Sequence, residues 1–266
     1  MRRVILALLG VCILSGYWLS GQKGLPAEDL LLYEKALAAS PDTGFLGFTL
    51  TNTPIRFFDG EADYVKREEG FVRERPVLPI VTATALEVDG INTLLMPTHA
   101  LMREVLGLLS GEAKTGYTED YQAAVLWHEA FHVYQLERYP MEMEALARGV
   151  QEESGARIDQ NEKAKALFEE ALPHLHRAAF ETDPAIRCKE ARRYLALAEM
   201  RDAFLTEGER RLESYTETVE GTAYFVEMEA ARALGMPMEV YTSLSPAYAG
   251  NFHCANNRGK TRRHPL

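Results

Sequence analysis

Residues 123–136 read AAVLWHEAFHVYQL, and this stretch limits the fold more than any other part of the chain. Ala123, Ala124, Val125, Leu126, Ala130, Phe131, Val133 and Leu136 leave it no continuous polar face, so as a helix it belongs inside a core. Yet His128, Glu129 and His132 lie in its middle. Polar groups in such a place are costly unless they are paired or bound to a metal. Residues four apart on a helix differ by about 40° of rotation and one turn, so the two histidines project from one face and can grip a single ion. Glu129 falls about 60° from His132, beside such an ion without being a ligand, where it can take a proton from an activated water. A polar network closed by buried partners is the alternative reading.

A catalytic zinc needs three protein ligands and an open position. A third histidine at the spacing H-E-x-x-H-x-x-G-x-x-H is excluded, because Gln135 and Arg138 occupy those places. His174 and His176 are two apart and face differently on a helix, while His99, His253 and His264 stand alone. Glutamates are better placed. ESYTETVEGTAYFVE, residues 213–227, carries Glu213, Glu217, Glu220 and Glu227 among apolar residues. On a regular helix Glu217 and Glu220, three apart, share a face, and Gly221 would let a neighbouring backbone come close.

The pair H128-E129-A130-F131-H132 and E220-G221-T222-A223-Y224 resembles the gluzincin metallopeptidases, zincins whose helical H-E-x-x-H is completed by a glutamate from a later helix. The second phrase is similar to the glutamate-glycine stretch of zinc aminopeptidases, where that glutamate binds zinc. The resemblance implies His128, His132 and Glu220 as zinc ligands and Glu129 as general base, with Glu217 as reserve ligand or as a carboxylate orienting a ligand histidine. It covers two motifs and the order of sheet before active helix. Glu220 comes 88 positions after His132, farther than in those aminopeptidases, and the G-A-M-E-N motif of exopeptidases is absent. In that clan an edge strand near the zinc helix takes extended peptide by strand addition. The hairpin around Asp89-Gly90 is the candidate here, an ordinary packing sheet being equally consistent.

A net charge of −10 argues against a general nucleic-acid partner, since phosphate binding needs a basic face. Basic residues gather at the two ends, with Arg2 and Arg3 first and Arg258, Lys260, Arg262 and Arg263 last. After the first pair, a charge-free run of 19 residues from Val4 to Gln22 reads as an export signal, either cleaved or kept as an N-terminal membrane anchor with the body outside the cytoplasm. In that setting Cys188 and Cys254 are equally consistent with a disulfide and with two free thiols.

A short helix is expected over Ala27–Ala39. From Gly44 to Pro97, β-branched and aromatic residues rise, and Asp59-Gly60 and Asp89-Gly90 mark hairpin turns. Pro76 and Pro79 belong at a strand start or sheet edge. Beyond Thr98 the pattern is helical over about 97–109, 118–138, 141–155, 161–177, 184–205 and 207–234, with irregular chain after Ser243. The fold class is therefore α+β: a predominantly helical, zincin-like domain over 23–242 with a small, largely antiparallel N-terminal sheet (44–97) and a helical insert (141–205). Residues 1–22 form the export segment and 243–266 a basic tail. The expected activity is zinc-dependent hydrolysis of a peptide or protein substrate, with the oxyanion donor open among Tyr224, Tyr241, Tyr248 and His253. A non-catalytic zinc-binding or assembly protein of the cell envelope, or a helical envelope protein without metal, are the alternatives.

Overall fold

A computed structural model describes residues 24–110, 117–152 and 161–244. The expected export segment, Cys254, Tyr248, His253 and nearly all of the basic tail lie outside them. The protein is α+β, helical for most of its length with one small sheet. The described residues divide into two compact units, 24–31 with 54–110, and 32–53 with 117–152 and 161–244. Helix α1 (Ala27–Ala39) begins in the first and ends in the second.

The first unit holds a five-stranded sheet of β1 (Ile55–Phe58), β2 (Asp63–Arg67), β3 (Gly70–Glu74), β4 (Thr84–Val88) and β5 (Ile91–Pro97), in the order β3-β2-β1-β5-β4. Both Asp-Gly pairs turn the chain as expected. Asp59 Oδ1 accepts from the backbone N–H groups of Glu61 and Ala62, both at 2.8 Å, and Gly60 takes φ 100°. At the second turn Asp89 (φ 53°) and Gly90 (φ 80°) both enter the left-handed region, which is the type I′ geometry that suits the strand twist. Two features differ from the sequence expectation. Strand β3 follows a Glu68-Glu69 turn that carries no Asp-Gly signal, and Pro76 and Pro79 fall in the link after it rather than in a strand. The sheet is largely antiparallel, as expected; the one exception among its pairings is that of β1 with β5, which is parallel, with Phe57 opposite Met96. That pairing joins residues about forty positions apart, beyond the reach of any turn signal. The central strands β1 and β5 are the buried ones, and helix α2 (His99–Ser110) follows β5.

The second unit is built around α3 (Glu119–Arg138), whose buried residues from Tyr121 to Gln135 face several directions. Thr118 caps it, Oγ1 accepting from the Tyr121 N–H at 3.2 Å. An aromatic strap, Phe45 and Phe48, lies on Trp127, Phe131 and Tyr134 of α3, and the Trp127 indole N–H donates to the Ala36 carbonyl at 3.0 Å. Helices α4 (Pro140–Glu152), α5 (Glu162–Phe180) and α6 (Pro184–Asp202) follow. Asp183 caps α6 and a complete Thr206–Glu209 capping box starts α7 (Glu207–Thr216). The long helix expected over 207–234 is interrupted: α7 runs into a π-helical turn, Glu217–Gly221, before α8 (Thr222–Ala233), which packs on α3. Gly235 (φ 75°) ends α8, and Pro237, the expected stop, also opens α9 (Met238–Leu244) by accepting from the N–H groups of Val240 and Tyr241. Among the described residues no helix is long and apolar enough to cross a membrane.

Replacing Gly90 with valine forces a β-branched side chain into positive φ, so unfolding in denaturant should show a loss of about 1–2 kcal/mol. An unchanged stability would contradict the turn geometry.

Candidate metal centre

Helices α3 and α8 each present a face with the same spacing. On α3 it carries His128, His132 and Gln135, at i, i+4 and i+7; on the π turn and α8 it carries Glu220, Tyr224 and Glu227, again at i, i+4 and i+7. The two faces meet. His128 Nε2 and His132 Nε2 lie 3.2 Å apart, and Glu220 Oε2 lies 3.5 Å from the first and 3.6 Å from the second. Donors held tetrahedrally at the bond lengths of zinc are roughly 3.3–3.4 Å from one another. The triangle drawn by these three atoms thus has the size that a small divalent cation requires, and the three residues could hold one.

The other side of each imidazole is fixed by a partner. Glu227, 2% exposed, sets Oε2 2.9 Å from His128 Nδ1. Gln135 is buried, and its amide nitrogen lies 2.8 Å from Thr222 Oγ1, 3.1 Å from the Val219 carbonyl and 3.3 Å from the Thr218 carbonyl. Carbonyl oxygens only accept, which settles the orientation of the amide: its nitrogen faces the π turn and its Oε1 faces His132 Nδ1, 2.8 Å away. His132 must then donate from Nδ1, leaving Nε2 with a lone pair directed at the triangle. A carboxylate at Nδ1 imposes the same tautomer on neutral His128. Two bare nitrogens 3.2 Å apart repel, so either a metal ion or a proton belongs between them.

Without metal, the proton takes that place. Burial alone would depress the His128 pKa, but the carboxylates of Glu220 and Glu227 outweigh it and lift the imidazole to about 10. Burial likewise works to raise Glu220, and the hydrogen bonds to the two imidazoles override it, holding the carboxyl well below the usual range. Glu129 behaves differently. Burial pushes its carboxyl up, the histidines pull it down, and Glu220 and Glu227 push it up again, with a net rise. A partly buried carboxylate with an elevated pKa, electrostatically coupled to both histidines, suits proton transfer better than ligation.

Of the residues expected from sequence, His128, His132 and Glu220 come together and Glu129 stands beside them. Glu217 does not join them. The π turn breaks the regular periodicity, so residues 217 and 220 no longer share a face, and the charges acting on Glu217 are Glu213, Arg201 and Asp202. Glu227, which the sequence shows seven residues after Glu220, takes the orienting role instead, and Gln135 takes the same role for His132. The i, i+4, i+7 repeat on both helices was the available signal. Gly221 admits no close neighbour: a Cβ there would meet only the Thr216 carbonyl, at 3.9 Å. Tyr224 packs edge-on against His128, ring centroids 4.6 Å apart, while Tyr241 is fully buried with its hydroxyl 3.5 Å from the Tyr224 carbonyl. His99 is buried in the first unit, and His174 pairs with Glu190 at 2.6 Å. Cys188 is exposed on α6.

No family model matches the sequence, and neither a curated protein nor a solved structure matches it.

The metal-free chain should show a distinctive pH profile. A His128 pKa raised from 6.5 to about 10 gives stability that is complete below pH 6.5 and is lost as pH climbs towards 10. The depressed Glu220 gives stability present above pH 4.5 and lost on acidification. Thermal unfolding of chelator-treated protein should accordingly show a midpoint that falls between pH 6.5 and 9.5, whereas a midpoint rising over that interval would refute the charged histidine. Zinc titrated into the same sample at pH 7 should release about one proton per site, measurable with an indicator dye.

Proposed function

We propose that this protein is a zinc-dependent hydrolase, most directly a peptidase. The observation that carries the reading is the convergence of His128 Nε2, His132 Nε2 and Glu220 Oε2 within 3.6 Å of one another, with Glu129 alongside. Two nitrogen donors and one oxygen match the two-histidine, one-glutamate set of catalytic zinc sites. Zinc bound there would supply a Lewis acid that polarises a carbonyl and acidifies a water.

The chain's own residues do the rest. Glu227 and Gln135 hold both imidazoles in the tautomer that leaves Nε2 free. The Glu129 carboxylate takes a proton from the attacking water at its own oxygen and returns it to the leaving amine, so the base is regenerated at each turnover. Its elevated pKa brings it nearer to the pH at which both transfers are feasible. Tyr224, packed on His128, is the described hydroxyl-bearing residue nearest the triangle among the four proposed for the oxyanion, and Tyr241 is committed to the core. The substrate is a peptide or protein, and the Val4–Gln22 run supports action outside the cytoplasm.

A second reading keeps zinc without turnover. Helix α6 exposes Ile186, Leu195 and Met200, a surface that an assembly factor could use. Glu129→Gln separates the two. On the peptidase reading it should retain one zinc per chain and lose about 10²–10⁴-fold in hydrolysis of a mixed peptide library. Wild-type protein that holds zinc but cleaves nothing would favour the assembly reading, and wild-type protein that cannot be loaded with zinc would end both.

A further inference from the structure

We propose that Gln135 is a positioning residue that locks the π turn of residues 217–221 to the metal-binding face of α3, so that one side chain sets both His132 and Glu220. The inference rests on the metal-binding reading above and adds a control on which carboxylate reaches the site. A π turn inserts one residue into a helix, and its carbonyls are poorly served by the N–H groups of the helix itself. Here the Thr218 and Val219 carbonyls receive the Gln135 amide, and Thr222 Oγ1 donates to the Thr218 carbonyl at 2.6 Å while accepting from Gln135 at 2.8 Å. These are the backbone groups immediately before Glu220. Were the turn to relax to regular α-helix, the residues before it would rotate by about 100° relative to α8, and the Thr218 and Val219 carbonyls would leave the Gln135 amide. The backbone immediately before Glu220 would then lose its anchor on α3, and with it the hold on the third corner of the donor triangle.

Gln135 is suited to this because its two ends differ. The Oε1 end needs a donor and finds His132 Nδ1; the Nε2 end needs acceptors and finds three. A carboxylate of the same size keeps the first contact and spoils the second. Gln135→Glu should therefore leave His132 oriented, and even more basic, while setting a negative oxygen against the Thr218 and Val219 carbonyls. Were Gln135 only a support for His132, that variant would bind metal as well as the wild type or better.

The test is zinc affinity by competition with a chromophoric chelator, on the full chain, for wild type, Gln135→Glu, Gln135→Met, Glu220→Gln and the Gln135→Glu/Glu220→Gln double variant. Amide hydrogen exchange over residues 216–222 is followed in parallel. We expect Gln135→Glu and Gln135→Met to lose 10- to 100-fold in affinity. Exchange in the π turn should be faster in both, and the double variant should bind no more weakly than Glu220→Gln alone. In the wild type, zinc should slow exchange over the same residues, a measurement that does not depend on any variant folding. The lock is overturned if Gln135→Glu binds zinc like the wild type, if its effect adds fully to that of Glu220→Gln, or if zinc leaves exchange in the wild-type turn unchanged. Failure of the wild type to take up zinc would instead overturn the metal reading, and the lock with it.

Discussion

Two imidazoles on a helix buried on most of its faces are sustainable because each finds a partner for both of its nitrogens, from α3 itself or from the helix opposite. His128 meets Glu227 on one nitrogen and the donor triangle on the other; His132 meets Gln135 and the same triangle. Remove these partners and α3 would carry uncompensated polar groups into a core built from Trp127, Phe131 and their aromatic neighbours, at a cost large enough to threaten the packing itself. The arrangement of the second unit follows from that requirement. Helix α8 must lie along α3, and the chain must reach Glu220 at the height of the histidines.

The π turn reconciles the two helices. Along α7 the residues are placed for contacts of their own, including the buried pair of Arg201 with Glu213. Along α8 the face is set by Tyr224 and Glu227 against His128. A uniform helix would have to serve both faces with one periodicity, and the extra residue at Glu217–Gly221 removes that constraint. Glu220 occupies the position where the register changes, consistent with the tendency of such turns to occur at functional sites.

On the proposed reading, proton and metal would compete for the same gap. The carboxylates that would make the site a strong cation binder also raise His128, which favours a proton on the imidazole wherever no metal is bound. Binding a metal there would therefore be coupled to releasing that proton. Glu129, raised rather than lowered, is distinguished from Glu220 by its surroundings and not by its chemistry, and on the proposed reading this difference divides the base from the ligand.

Much of this was readable in the chain. The apolar run from Ala123 to Leu136 requires a buried helix, the four-residue spacing puts His128 and His132 on one face, and the Asp-Gly pairs mark two of the sheet's turns, because each signal depends on residues only a few positions apart. Helix ends were legible for the same reason: Thr118, Asp183 and the Thr206–Glu209 box act on N–H groups two or three residues away. The tertiary structure decided the rest. The parallel pairing of β1 with β5, the π turn that parts Glu217 from Glu220, the assignment of Glu227 to His128, and the π-turn carbonyls that orient the Gln135 amide all depend on groups tens of positions apart in the sequence. Local propensity does not encode such choices; they are settled by which buried polar group finds its complement once the helices pack.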